Sequence, residues 1–535
     1  MSARRPAVRL PAGDAINSPR HDGVSAEPID LVPAAPSARS RKRAVLIALA
    51  GPLLLFAHTY AASVSVDFAG LDSWRRLWSD LAVATAAWID HAYGPAERVV
   101  ARGEAADAEM RRALLRRIER EERSPARPLA TIVDRPFVLD RLAPAPKPYD
   151  DKGRAVLLAW AFRLRGGIAP FLILWLGALL AAPVIAWTAI ELAAAGHRRA
   201  ALAFGVLLGL SPYVVETLAL ARYPVGFYLV ALLLVIPLAV YAQLHPRPTA
   251  GGLALRVIVS AAALTLCVFC RSSAALLWPG FVLAAGLGLR RVLGLGWKAV
   301  AALIVAGLLF ALPSRLVQDA QQNDVWQPLW EGLGDFDRAK GYTWSDAAAE
   351  EAARGGGASS LWTDESEAFF RREILRDVVS DPAWYVGILA RRLAATVTLW
   401  KLWPWGPRDG LFIRRHTAPN EGVIDKYWTY TTTVDHVGFA EKAMEVPVAV
   451  LLAPAAVLVL MAARGRQRSA ARNALVVVSC VAAGALVLPV LITTAGGQEA
   501  QAFAVTYLLA AAFAIDLCWD GVRQARGARR APSAG

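Results

Sequence analysis

Charge is what this chain lacks most. Only 19% of its 535 residues are Asp, Glu, Lys or Arg, against 56% hydrophobic residues. An ordinary soluble domain carries about 25% charged residues, so this composition describes a chain dissolved in hydrocarbon over much of its length. Acid is scarcer than base, which leaves a formal net charge of +14. The cations form no single patch interleaved with aromatics, however, and nucleic acid is therefore excluded as a partner. Cysteine is rare: Cys267, Cys270, Cys480 and Cys518 all lie in or beside apolar runs. The Cys267-Val-Phe-Cys270 spacing is that of a redox pair, but within an apolar helix it reads as two small buried hydrophobes. An internal repeat and paired interrupted spans, the marks of many transporters, are also missing.

What the sequence does have is apolar runs of about 20 residues, the length a helix needs to cross hydrocarbon with every backbone group satisfied. Ten are read: 44–66, 170–194, 200–219, 225–243, 254–270, 272–289, 297–313, 445–463, 473–494 and 499–518. The fifth and sixth are short and tightly joined. Basic residues gather in alternate short loops: Arg41 to Arg43, Arg198 and Arg199, Arg247 and Arg256, Arg290, Arg291 and Lys298, Arg464 to Arg472, and Arg523 to Arg530. Placing these in the cytoplasm satisfies the positive-inside rule and puts both termini there. The expected fold is an all-α polytopic integral membrane protein of about ten transmembrane helices. Residues 1–43 form a disordered cytoplasmic N-terminus rich in Pro, Ala, Ser and Arg. The first helix (44–66) is a retained anchor, or a signal cleaved near the AAS at 61–63.

Orientation places two polar insertions outside: a first extracytoplasmic loop, 67–169, and a second lobe, 314–444. Helices two to seven occupy 170–313, helices eight to ten occupy 445–518, and a basic cytoplasmic tail covers 519–535. In the first loop, 96–123 has helical charge periodicity with a thin apolar stripe. The second lobe holds nine of the chain's 18 tryptophans. Trp400, Trp403 and Trp405 suit the lipid interface. Trp326, Trp330 and Trp344 alternate with Glu331, Asp335, Asp337 and Asp346, a mixture that suits either a cleft where rings stack and carboxylates hydrogen-bond or a small lobe core. Ionisable residues near membrane depth cluster at the outer ends of spans: His58, Asp67, Lys152, Arg154, Glu216, Arg222, Arg271 and Glu499. Such charges are paired or functional, and an outer phosphate would explain Arg222 and Arg271.

The stretch from PYDDKGRAV through LLGLSPYVVETLALARYP resembles the GT-C superfamily of membrane glycosyltransferases, in particular the dolichyl-phosphate-mannose protein mannosyltransferase and aminoarabinose transferase branch. Asp67 takes the place of the acidic residue after the first span, Asp151-Lys152-Gly153 that of the acidic-Lys-Pro motif, and Ser211-Pro212 that of the turn within the membrane. CRSSAALLWPG at 270–280 is similar to the cation-then-Pro span. Two departures stand out: a single Asp where the family often has Asp-Glu, and Gly153 in place of Pro. WQPLWEGLG and DPAWYVGILARRL are similar to uncharacterised bacterial members.

The resemblance implies a multi-pass protein of the bacterial inner (plasma) membrane. It would move a sugar from a polyprenyl-phosphate donor to a glycan, lipid or protein acceptor on the outer face. Asp67 would be the catalytic base, with Asp72, Asp150 and Asp151 as competitors, while Lys152, Arg222 and Arg271 would bind the donor phosphate. Trp326, Trp330, Glu331 and Trp344 would bind the acceptor. No cofactor or metal is expected, since the leaving group is one lipid phosphate. Asp335-Phe-Asp337 has the form of the DxD of nucleotide-sugar enzymes but lacks a Rossmann-like sequence around it. The rival expectations are a transporter or flippase, and a noncatalytic envelope assembly subunit.

Overall fold

In a computed structural model, the described residues are 38–65, 75–92, 153–169, 172–211, 226–310, 326–334, 340–343, 346–361, 363–398 and 502–530, with isolated positions between them. Every regular element among them is helical. In chain order these are α1 (Ala38–Ser65), α2 (Arg75–Ala92), α3 (Gly153–Arg165), α4 (Leu172–Ala194), α5 (Arg198–Leu210), α6 (Gly226–Leu244) and α7 (Ala250–Cys270). A 3₁₀ turn (Ser272–Leu277) leads into α8 (Trp278–Leu293), followed by α9 (Trp297–Phe310), α10 (Trp326–Gly332), α11 (Asp346–Gly355), α12 (Asp364–Ser380), α13 (Pro382–Thr398) and α14 (Ala502–Arg530).

Four segments are long and apolar enough to cross a membrane: α4, α6, α7 and the continuous stretch Ser272–Leu293. Shorter apolar helices lie at Val45–Ala61, Trp297–Leu309 and Val505–Trp519, overlapping the expected first, seventh and tenth spans. The protein is thus helical and has the segments of a membrane protein. The expected span 445–463, most of 473–494 and of the stripe at 96–123, and residues 399–444 lie outside the described residues.

Helix α6 is the centre of the bundle. It is apolar on every face, and Gly226 to Ala242 are all buried, as expected of a helix surrounded by other helices. Helices α4, α7 and α8 pack on it. Its 19 residues at 1.5 Å each give about 29 Å, close to the thickness of hydrocarbon. Helix α5 lies between α4 and α14. It ends at Leu210, where Ser211 leaves the helical region (φ −70°, ψ 109°), and Val214, Val215 and Leu218 beyond it are helical again. The Ser211 hydroxyl then accepts from Val214 N–H at 3.4 Å.

Small residues set the closest approach. A Cβ on Gly209 would fall 2.7 Å from Gly51 O, and one on Gly51 would fall 2.8 Å from Gly205 Cα. Gly205 and Gly209 are one GxxxG spacing apart on α5, and they let its backbone touch α1 where lipid tails supply no hydrophobic drive. His58 Nδ1 lies 3.4 Å from Gly209 O at the same contact.

Helices α10 to α13 build a separate small core around Leu329, Trp330, Leu333, Tyr342, Phe370 and Ile374. Among the described residues, several acids of this insert serve local structure. Glu367 accepts from the N–H groups of Trp326 and Gln327 at 3.0 and 3.1 Å. It thereby satisfies two of the donors left open at the start of α10. Thr363 and Ser366 form a reciprocal capping box at the start of α12, whose first turn carries Asp364, Glu365 and Glu367, the favourable end of the helix dipole.

Candidate functional site

The site begins at the junction of two membrane-length segments. At the end of α7, Arg271 is extended (φ −153°, ψ 102°). Its N–H still donates to Cys267 O at 2.8 Å and its carbonyl receives Ala274 N–H at 2.9 Å. An arginine followed by two serines gives the chain local polar partners where the helix stops, and Pro279 near the start of α8 restarts it with a residue that needs no donor there. Arg271 Nε donates to Tyr228 Oη at 2.8 Å, and that hydroxyl lies 2.5 Å from Ser273 Oγ. Tyr228 is wholly buried on α6. One of the five donors of the guanidinium is thus tied to a rigid hydroxyl pair.

The second component is the start of α3. A Cβ on Gly153 would lie 2.4 Å from Phe269 O and 2.6 Å from Cys270 N. Only glycine lets the backbone approach that closely, which gives a physical reason for the departure from Pro noted above. The next residue, Arg154, forms a buried ion pair with Asp80 on α2, with Nη2 2.5 Å from Oδ2. Asp80 Oδ1 has no hydrogen-bond partner among the described residues. The backbone contact between Gly153 and Cys270 therefore has a cation one residue away on each strand of chain, Arg154 on one and Arg271 on the other.

Of the expected donor-site residues, Arg271 is at this junction, whereas Lys152 and Arg222 lie outside the described residues, as do Asp67, Asp72, Asp150 and Asp151. Trp344 lies outside them too. Trp330 is 7% exposed in the lobe core, with its ring 5.5 Å from both Tyr342 and Phe370. Glu331 is buried and accepts from Gln327 Nε2 at 3.0 Å. Trp326 is half-buried, and the Arg371 guanidinium stands 5.8 Å over its ring. Tyr342, at the edge of this core, donates to Asp377 at 2.9 Å. Burial first, and then that carboxylate, push the Tyr342 hydroxyl well above its ordinary pKa. Burial would also raise Asp377, but hydrogen bonds from Arg376 and Tyr342 and the charges of Arg376 and Lys340 bring it below the usual value.

No protein-family model, curated protein or solved structure matches the chain.

Sequence reasoning missed Asp80, Tyr228 and Ser273. Asp80 was findable: Leu81, Ala84, Thr85, Trp88 and Ile89 repeat at helical spacing and are all buried, so α2 announces itself as an amphipathic helix. Tyr228 carries no such signal within an apolar run.

At the far end of α6 the polar groups are a different set. Glu191 Oε1 receives Trp187 Nε1 at 2.9 Å and Arg256 Nε at 2.8 Å. The Arg256 guanidinium lies 3.7 Å over the Tyr241 ring. Tyr228 and Tyr241 are 13 positions apart, about 20 Å along the helix.

Proposed function

We propose that the chain is a membrane glycosyltransferase which moves a sugar from a polyprenyl-phosphate donor to an acceptor on the outer face of the bacterial inner membrane. In this reading both termini are cytoplasmic and the two polar insertions are extracytoplasmic. The observation that carries the reading is the junction of Gly153 with Cys270, which sets Arg271 beside the start of α3 at the end of a hydrophobic bundle. A donor with an isoprenoid tail and a charged head needs that combination: lipid-accessible helices leading to cations at headgroup level.

The chemistry follows from the donor. A carboxylate, Asp67 in this proposal, takes the proton of the acceptor hydroxyl as its oxygen attacks the anomeric carbon. The bond from that carbon to the phosphate oxygen breaks with inversion, and the phosphate leaves on its lipid. Lys152, Arg222 and Arg271 stabilise the charge that accumulates on the leaving oxygen. Asp80 acts at one remove, by neutralising Arg154 and holding the start of α3. Because the Trp330 ring is occupied within the lobe core, acceptor stacking falls chiefly to Trp326, with Trp344 as a second platform.

Transfer of radiolabelled sugar from a polyprenyl-phosphate donor into a membrane extract, catalysed by the purified full chain, tests the proposal. Asp67→Asn should lower turnover by about 10²-fold or more with little change in acceptor requirement. Full turnover in Asp67→Asn, Asp72→Asn, Asp150→Asn and Asp151→Asn alike would remove the enzyme reading.

A further inference from the structure

We infer that the other end of the bundle binds an anionic phospholipid by its headgroup, in a cleft between the end of α6 and the turn from α8 to α9. The cleft has a volume of about 330 Å³ and is lined by Gln243, Leu287, Arg290, Arg291, Gly294 and Leu295. That volume is near the lower end for ligand pockets. It suits a phosphodiester head and leaves the acyl chains outside.

Both arginines are held at the rim. Arg291 Nη1 donates to Ala242 O at 3.2 Å, and the Arg290 guanidinium stands 4.0 Å over the Trp297 ring. Gly294 takes a left-handed conformation (φ 65°) that ends α8 and turns the chain around the cleft. The positive charge here is not offset locally: residues 243–255 and 285–300 contain no Asp or Glu, while the latter segment also carries Lys298. Glu191 and Asp516, acids described at this end, are engaged with Arg256 and His197. Among the described residues no carboxylate pairs with Arg290 or Arg291, and an anion would complete them.

Apolar surface beside the cleft makes that anion a lipid. Leu293 and Trp297 are 55% and 58% exposed, next to the cations. A phosphodiester between Arg290 and Arg291, with acyl chains lying over Leu293 and Trp297, uses both features. A free phosphate uses one. Basic pockets between helices at the cytoplasmic face are suited to such headgroups, and exposed tryptophan is favoured at the interface. This inference does not depend on the sugar-transfer reading.

The test is a titration of the delipidated full chain in detergent with phosphatidylglycerol, read by native mass spectrometry, with phosphatidylcholine as the zwitterionic comparison. Phosphatidylglycerol should bind more tightly than phosphatidylcholine. Each cation near a membrane surface contributes about 5-fold in affinity, so Arg290→Gln with Arg291→Gln should weaken binding by about 25-fold. Gln243→Glu, which keeps both cations and adds an opposing charge, should weaken it about 5-fold by the same scale; this variant decides if the double replacement fails to fold. Arg523→Gln, in the basic tail, should bind as the unaltered chain does. Equal affinity for the two lipids, or undiminished phosphatidylglycerol binding in the cleft variants, would overturn the inference. Displacement of phosphatidylglycerol by millimolar inorganic phosphate would likewise overturn it, by assigning the cleft to free phosphate.

Discussion

Replacing Gly153 with alanine adds one methyl group at the seam where α3 meets the end of α7. The new Cβ would sit 2.4 Å from Phe269 O, whereas ordinary contact begins at about 3.4 Å. The difference, 3.4 − 2.4, requires a displacement of about 1 Å. The obstructing atoms belong to backbone on the facing helix, so no side chain can swing away to make room. Overpacking of this kind costs about 1–3 kcal/mol. A misplacement of that size at a reacting centre can lower turnover on the order of 10²-fold. Thermal unfolding of the purified chain in detergent should show a lowered midpoint, and sugar transfer should fall by more than the lost stability explains. Gly251→Ala is the matched control: it lies on α7, the helix that carries Phe269, and a Cβ there meets nothing within 4 Å. Its midpoint should be unchanged or slightly raised, since alanine is the better helix former. If both variants melt and turn over like the unaltered chain, the seam does not constrain the site and the argument from it fails.

Trp330→Ala should destabilise the α10 to α13 lobe by about 3–5 kcal/mol, because it removes a buried ring; Trp326→Ala should cost less, and hydrogen exchange of the lobe peptides will separate the two. Asp80→Asn strips buried Arg154 of its carboxylate and should cost about 3–5 kcal/mol, while replacing both residues with apolar ones of similar volume should recover most of the loss in thermal unfolding. The Asp377 carboxyl titrates below its ordinary value, so its contribution to stability is fully present above the unfolded pKa of about 3.9 and is lost as pH falls through the folded value. Exchange protection of α12 in the unaltered chain should therefore exceed that in Asp377→Asn at neutral pH and converge with it below about pH 4; a constant difference across that window would refute the linkage.

The parts of this protein that were legible in the sequence are those written locally. An unbroken apolar run such as α6 states its own burial, and a cation with two serines before Trp-Pro announces the break at Arg271. Helix ends were less legible. Within the third expected span, to 219, the extended backbone of Ser211 ends α5 at Leu210 and its hydroxyl receives Val214 N–H beyond the break, a local event legible in the Ser211-Pro212 pair and not in average hydropathy. Contacts between distant positions were illegible. Asp80 and Arg154 are 74 residues apart, and Tyr228 and Arg271 are 43 apart. Nothing in either residue's neighbourhood names its partner. Gly153 read as a departure from a motif until its contact with Phe269 and Cys270 supplied a steric reason. The tryptophans of the second lobe suited both a cleft and a core, and for Trp330 it is the proximity of Tyr342 and Phe370 that identifies a packing role.

The central claim is that the Arg271 junction receives the phosphate of a lipid-linked donor. Equilibrium binding of a polyprenyl-phosphate sugar to the purified full chain, compared between the unaltered protein and Arg271→Ala, addresses it directly. Loss of a charge-assisted contact of about 1.5–3 kcal/mol predicts an affinity about 10- to 150-fold weaker, with the thermal midpoint largely retained. Unchanged donor affinity in Arg271→Ala would contradict the account.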